Sequence, residues 1–101
     1  MKCFWTNAAH DDRYVIWHYN LNYGIEEAIR VDRLIEDAIS IILRAPFSGV
    51  TGRVVGTYEH TPEPTFRVIY EVRTDGIFIL AVMHAAFALS DITDTREGVR
   101  W

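Results

Sequence analysis

From Tyr23 to Leu43 the apolar residues Ile25, Ala28, Ile29, Ile35, Ile39, Ile42 and Leu43 recur at helical spacings. They form one broad stripe, which predicts an amphipathic helix of about that length. Asn22 precedes it, Glu26 and Glu27 lie in its first turn where the helix dipole favours negative charge, and Pro46 and Gly49 end it. Upstream, Lys2 to Trp5 reads as a short strand, and Thr6 or Asn7 offers a side-chain oxygen to cap a first helix running to about Asn20.

Beyond Gly49 the period changes from helical to alternating. Thr51 to His60 is a predicted strand with Gly52 and Gly56 as bulge or bend points, and Thr61-Pro62-Glu63-Pro64 is a rigid loop that ends its ladder. In the next strand Phe66, Val68, Tyr70 and Val72 share one face, and Arg67, Ile69, Glu71 and Arg73 share the other. Asp75-Gly76 supplies the positive backbone angles of a tight hairpin. Ile77 to Met83 is apolar at every position and is expected to be a central strand covered on both faces. The predicted order is β-α-α-β-β-β, an α+β fold with two N-terminal helices packed on one face of a small, mainly antiparallel sheet.

A chain of 101 residues suits one domain. Its body is expected over residues 1–89, followed by a polar tail over 90–101. The longest apolar tract, Ile77 to Leu89, is broken by His84 and falls short of the roughly 20 residues of a membrane helix. With no secretory signal visible, a cytoplasmic protein without membrane association is expected. Cys3 is the only cysteine, which excludes an internal disulfide and suits a small buried residue of the first strand.

Charge narrows the chemistry. The net charge is −4 and Lys2 is the only lysine, so no overall field draws the chain to nucleic acid or anionic membrane. His10, His18, His60 and His84 have no metal-ligand spacing, and Ser40, Ser48 and Ser90 have no nucleophile context. No metal ion and no cofactor are expected. Arg67 and His84 stand out on an apolar scaffold as candidates for a catalytic or contact role. Each also has a structural explanation: an ion pair of Arg67 with Glu71, and a hydrogen-bonded histidine ending a buried strand. Tyr70 fits core packing, Arg53 a solvated charge, and Glu59 a surface carboxylate. Trp5, Trp17, Tyr14, Tyr19 and Tyr23 crowd the first strand and first helix, either edging the core or presenting an interface.

Several short motifs occur in an order that resembles the RelE/ParE toxin superfamily of type II toxin–antitoxin systems. The opening strand followed by a spaced Ala and Asp is matched by Trp5-Thr6, Ala9 and Asp12. The end of the second helix, with its proline and glycine, is matched by Ile35, Ile39, Ile42, Pro46 and Gly49. Gly56-Thr57-Tyr58-Glu59 is similar to a Gly-Thr-Arg-Glu motif, Phe66-Arg67-Val68-Ile69-Tyr70 to a Tyr-Arg-hydrophobic-hydrophobic-Tyr strand, and His84-Ala85-Ala86-Phe87 to a final His-x-Ala-Arg. The likeness covers residues 2 to about 87. Tyr58 and Phe87 replace arginines of the pattern, so two cations are missing.

The resemblance implies a toxin neutralised by a cognate antitoxin, whose helix and extended tail lie over the toxin's hydrophobic surface. ParE-like members resemble inhibitors of DNA gyrase, which engage a protein surface. RelE-like members resemble ribosome-dependent mRNA endonucleases, which need a base, an acid and cations around a phosphate. Phosphate binding draws its affinity from clustered cations, whereas this chain has a single lysine and a negative net charge, so the ParE-like reading is preferred and growth arrest through gyrase is the expectation. A member that has lost activity is a third reading, motivated by Tyr58 and Phe87. The antitoxin- or target-binding candidates are Arg53, Tyr58, Glu59, Arg67, His84, Phe87 and Trp17, with a second copy of the chain as a further partner.

Overall fold

In the computed structural model, which describes residues 1–84, the chain runs β1 (Lys2–Trp5), α1 (Asn7–Leu21), α2 (Ile25–Arg44), β2 (Val50–Thr51), β3 (Thr57–Glu63), β4 (Phe66–Arg73) and β5 (Gly76–His84). The strands form one sheet in the order β1-β5-β4-β3-β2. The β1–β5 pairing is parallel and the others are antiparallel. Both helices pack on one face, where Ala9, Ile16, Val31, Ile35, Ala38, Ile39 and Ile42 meet Phe66, Val68, Tyr70, Ile77, Ile79 and Val82. The expected α+β architecture stands, with one short strand added.

The sequence of α1 explains how the parallel strand pair is extended. Thr6 caps the helix by accepting from the Ala9 N–H (3.1 Å), and its hydroxyl donates to the Leu80 carbonyl (3.1 Å). Further along the helix Asp12 accepts from the Val82 N–H (3.0 Å). β1 accompanies β5 only from Gly76 to Ile79, so these two side chains take over its backbone groups where β1 stops. Ala9, fully buried, lets the helix approach closely enough for both contacts.

The helix α2 buries Ala28, Val31, Ile35, Ala38, Ile39 and Ile42. The expected stripe was one step too wide at its start, because Ile25 is 55% exposed and Ile29 37%. Asn22 closes α1 and Gly24 holds the cap position of α2, so the helix begins at Ile25 rather than at Tyr23.

Three corrections concern the strands. The predicted strand Thr51 to His60 is two strands folded on each other, Val50 opposite Glu59 and Thr51 opposite Tyr58, so the glycines mark a reversal rather than a bend. Thr61-Pro62-Glu63 does not leave the sheet: β3 continues to Glu63 through an irregularity between His60 and Glu63 that accommodates Pro62. At the final hairpin Arg73 pairs with Gly76, which leaves Thr74 and Asp75 as the turn residues, and neither has a positive φ. The positive φ expected at the hairpin falls on Gly76 alone (156°), and glycine is needed there for a second reason. A Cβ there would lie 2.5 Å from the Lys2 carbonyl oxygen and 3.0 Å from the Phe4 ring, so glycine allows β1 to approach β5.

β5 is covered on both faces as expected, but by way of a bulge. The ladder shifts between Ile69 and Tyr70, pairing Ile69 with Ala81 and Tyr70 with Ile79, so Leu80 is the extra residue. Leu80 and Ala81 therefore both leave the helical side. They join Ile69 and Met83 in a second buried cluster, against which Val54 and Phe78 pack.

Candidate interaction surface

The bulge at Leu80 decides which candidate residues can act together. Strict alternation from Ile77 would place His84 on the face of the sheet away from the helices, beside Arg67. One extra residue reverses that parity. His84 instead pairs across from Phe66 on the helical side, with its ring 5.3 Å from that of Tyr19 in α1. Arg67, opposite Met83, faces the other way. The two catalytic candidates thus lie on opposite faces of one sheet.

On the face away from the helices the structure gathers Arg53, Glu59 and Arg67. The Arg67 guanidinium donates to Glu59 Oε1 (3.2 Å), and Glu59 Oε2 accepts from the Arg53 backbone N–H (3.4 Å). The partner of Arg67 is therefore Glu59 on the neighbouring strand rather than Glu71, which pairs with Arg73. Side-chain spacing along β4 pointed to Glu71, whereas the β3–β4 register sets Glu59 diagonal to Arg67. Arg73 also lies over the Phe78 ring (4.1 Å), which ties this charge to the same face. The Arg53 side chain is exposed at the bend before β3.

On the helical side, Tyr58 stacks on Tyr70 (5.7 Å between rings) with the Phe47 ring edge-on to it (5.9 Å). Tyr58 is thus separated from its neighbour Glu59 by the thickness of the sheet. Tyr70 is fully buried and its hydroxyl donates to the Pro46 carbonyl (2.8 Å), fastening the turn after α2 to the core. Burial pushes that hydroxyl above its ordinary pKa and keeps it a neutral donor. Gly49 is required beside it, since a Cβ would fall 2.5 Å from the Tyr70 hydroxyl.

At the far end of the helical side, the half-buried His84 and Tyr19 meet, and the exposed Tyr23 brings its hydroxyl within 3.4 Å of that of Tyr19. Burial lowers the His84 pKa from its ordinary value, and the nearby Glu63 carboxylate opposes that effect. The Glu63 carboxylate also meets Arg30 of α2 (3.5 Å). Trp17 is half-buried on α1, and Phe87 lies outside the described residues, as does the tail 90–101.

The aromatic crowd divides. Trp5 is half-buried beneath the Arg13 guanidinium (5.2 Å), while Arg13 binds Asp32 through two hydrogen bonds (2.8 and 2.9 Å) and Glu36 through a third (2.5 Å). Those carboxylates hold the Arg13 charge firmly and tie α1 to α2. Tyr14 and Tyr23 are exposed instead. Sequence reasoning missed a further exposed group at the other end of the molecule: Phe47, Val50 and Val55, around the β2–β3 reversal, the last 90% exposed. Apolar residues flanked by Pro46, Gly49, Gly52 and Gly56 were the available signal, since a turn cannot bury them. Among the described residues no three His, Cys, Asp or Glu side chains converge as a metal-ligand set. No helix there is long and apolar enough to cross a membrane.

The family model for the ParE toxin of the type II toxin–antitoxin system parDE matches residues 3–89. The chain belongs to the ParE toxin family. Among solved structures, a chain of the chromosomal ParDE toxin–antitoxin system from P. aeruginosa superposes with a TM-score of 0.74 at 23% identity, over 83% of this chain and 95% of that one. A YoeB/ParE toxin from Agrobacterium tumefaciens superposes with a TM-score of 0.60 at 21% identity, over 83% and 98% respectively. No curated protein matches the chain in sequence. Within the ParE fold, Ala9 and Asp12 acquire a definite task, holding the unpaired stretch of β5, and Pro46 and Gly49 receive the Tyr70 hydroxyl.

Proposed function

We propose that this ParE-family chain is a protein-binding toxin that arrests growth by inhibiting DNA gyrase in the cytoplasm and is neutralised by a cognate antitoxin. The observation that carries the proposal is the separation of Arg67 from His84 by the sheet, together with the pairing of the strand cations Arg67 and Arg73 with Glu59 and Glu71. Ribose-directed RNA cleavage requires an acid, a base and cations around a single phosphate. Here a phosphate approaching Arg67 would meet Glu59 at the same place, and His84 would be out of reach. Loss of the family cation at Tyr58 removes a further contribution to phosphate affinity.

A protein target makes no such demand. Exposed aromatic and aliphatic side chains are available on the helices and the turn joining them, at Tyr14, Val15, Tyr23 and Ile25, and at the sheet end, at Phe47, Val50 and Val55. Large exposed apolar residues of this kind suit an antitoxin segment laid over the surface and a gyrase contact. The test is a pair of assays on one preparation: supercoiling by gyrase, and messenger cleavage on programmed ribosomes. Inhibition of supercoiling without cleavage is expected. Codon-positioned cleavage that needs ribosomes, with supercoiling unaffected, would assign the endonuclease reading instead.

A further inference from the structure

The outer side of α2, opposite its buried residues, carries a stripe with a specific internal symmetry. Glu26, Ile29, Arg33, Asp37, Ile41 and Arg44 follow one another at intervals of three or four residues and are all exposed. Such spacing puts them in one row along the helix. Reversing the row about Ile35 sets Glu26 against Arg44, Ile29 against Ile41, and Arg33 against Asp37. Every position thereby meets its complement.

None of these four charged side chains takes part in an ion pair within the described residues. The pairs on α2 involve Glu27, Arg30, Asp32 and Glu36 instead. The two isoleucines are 37% and 38% exposed, a waste of apolar surface in a monomer whose core already has α2's other face. A shallow depression lined by Glu26, Ile29, Arg30, Arg33, Leu34 and Asp37 lies along the row.

We infer that α2 is a self-association surface, on which a second copy of this chain docks antiparallel across a two-fold axis near Ile35. A two-fold contact must be complementary to itself, and charge reversal about a centre is the pattern that satisfies this requirement. The arrangement contains four ion pairs and two isoleucine contacts, and it sets the helix dipoles head to tail. One helix against one helix is a small contact, of the class below about 1,200 Å² that gives weak and concentration-dependent association. The inference does not depend on the target being gyrase.

Sedimentation velocity of the full chain over a range of concentrations tests it, alongside three exposed-surface variants. The wild type is expected to pass from monomer to dimer as concentration rises, with the transition moving to higher concentration in added salt. Asp37→Arg sets cations against Arg33 of the other copy on both sides of the axis and is expected to raise the dimer dissociation constant at least tenfold. The exchange Arg33→Asp with Asp37→Arg restores opposite charges and is expected to restore dimerisation. In a Cys3→Ala background, Ile29→Cys with Ile41→Cys is expected to give a disulfide-linked dimer on mild oxidation. Circular dichroism on each variant establishes that it is folded. Monomers at every concentration would overturn the inference, as would dimers indifferent to Asp37→Arg. A monomeric chain whose antitoxin binding falls with Asp37→Arg would assign the stripe to the antitoxin and overturn it equally.

Discussion

Replacing Arg67 by alanine separates a structural cation from a catalytic one. Arg67 and Glu59 are 26% and 13% exposed in their side chains, with the guanidinium nitrogen 3.2 Å from the carboxylate. Exposed ion pairs contribute about 0.2–1 kcal/mol. Removing one partner of a fully buried pair costs about 3–5 kcal/mol, because the other charge is left without compensation. This pair sits between those limits, and the bond that remains to Glu59 is a long one from the Arg53 N–H, 3.4 Å. Arg67→Ala is therefore expected to lower stability by about 1–3 kcal/mol. Glu59→Gln combined with Arg67→Met removes both charges and is expected to cost less than Arg67→Ala alone, since no carboxylate is stranded. Urea unfolding at neutral pH measures both, the midpoint falling while the slope is unchanged. At a temperature where the variant remains folded, its inhibition of supercoiling should fall no further than its folded fraction. An Arg67→Ala variant of undiminished stability that had lost an RNA-cleaving activity would refute the reasoning.

Three further outcomes are expected. Gly49→Ala should cost about 1–3 kcal/mol through its collision with the Tyr70 hydroxyl, and less in a Tyr70→Phe background, where that oxygen is gone; equal costs in both backgrounds, measured as a double-mutant cycle, would show the contact to be unimportant. Gly76→Ala should destabilise by a similar amount, about 1–3 kcal/mol, by pressing on the Lys2 carbonyl, and amide exchange should show β1 released first. His84, whose pKa burial depresses, is neutral in the folded state at pH values where the unfolded chain is protonated. Its contribution is thus full above the ordinary histidine pKa and is lost as pH falls through the depressed folded value. Unfolding midpoints taken from pH 7.5 downward should fall less steeply through that interval for His84→Asn than for the wild type.

The helices and the sheet could be read from the chain because their signals are local. Thr6 as the cap of a first helix, the period of α2, and the alternation of Phe66, Val68, Tyr70 and Val72 each follow from neighbours within a few residues. The site could not be read in the same way. A single bulged residue, Leu80, sits within a run apolar at every position, where alternation gives no phase, and it moved His84 to the opposite face from Arg67. The partner of Arg67 was missed for a related reason, since Glu59 becomes its neighbour only through the pairing of β3 with β4. Pro62 looked like the end of a ladder, yet the strand tolerates it at an irregularity. The Asp75-Gly76 dipeptide marked a hairpin correctly while its glycine served a contact with Lys2, 74 positions away in the chain, that no local pattern encodes. The family likeness rested on short motifs whose order was informative even though Tyr58 and Phe87 depart from them.

The measurement closest to the central claim is gyrase-catalysed supercoiling of relaxed plasmid in the presence of the purified full chain, titrated with and without its antitoxin. Dose-dependent inhibition, relieved by the antitoxin, is the predicted result. Unimpaired supercoiling at toxin concentrations that cleave messenger RNA on ribosomes would contradict it.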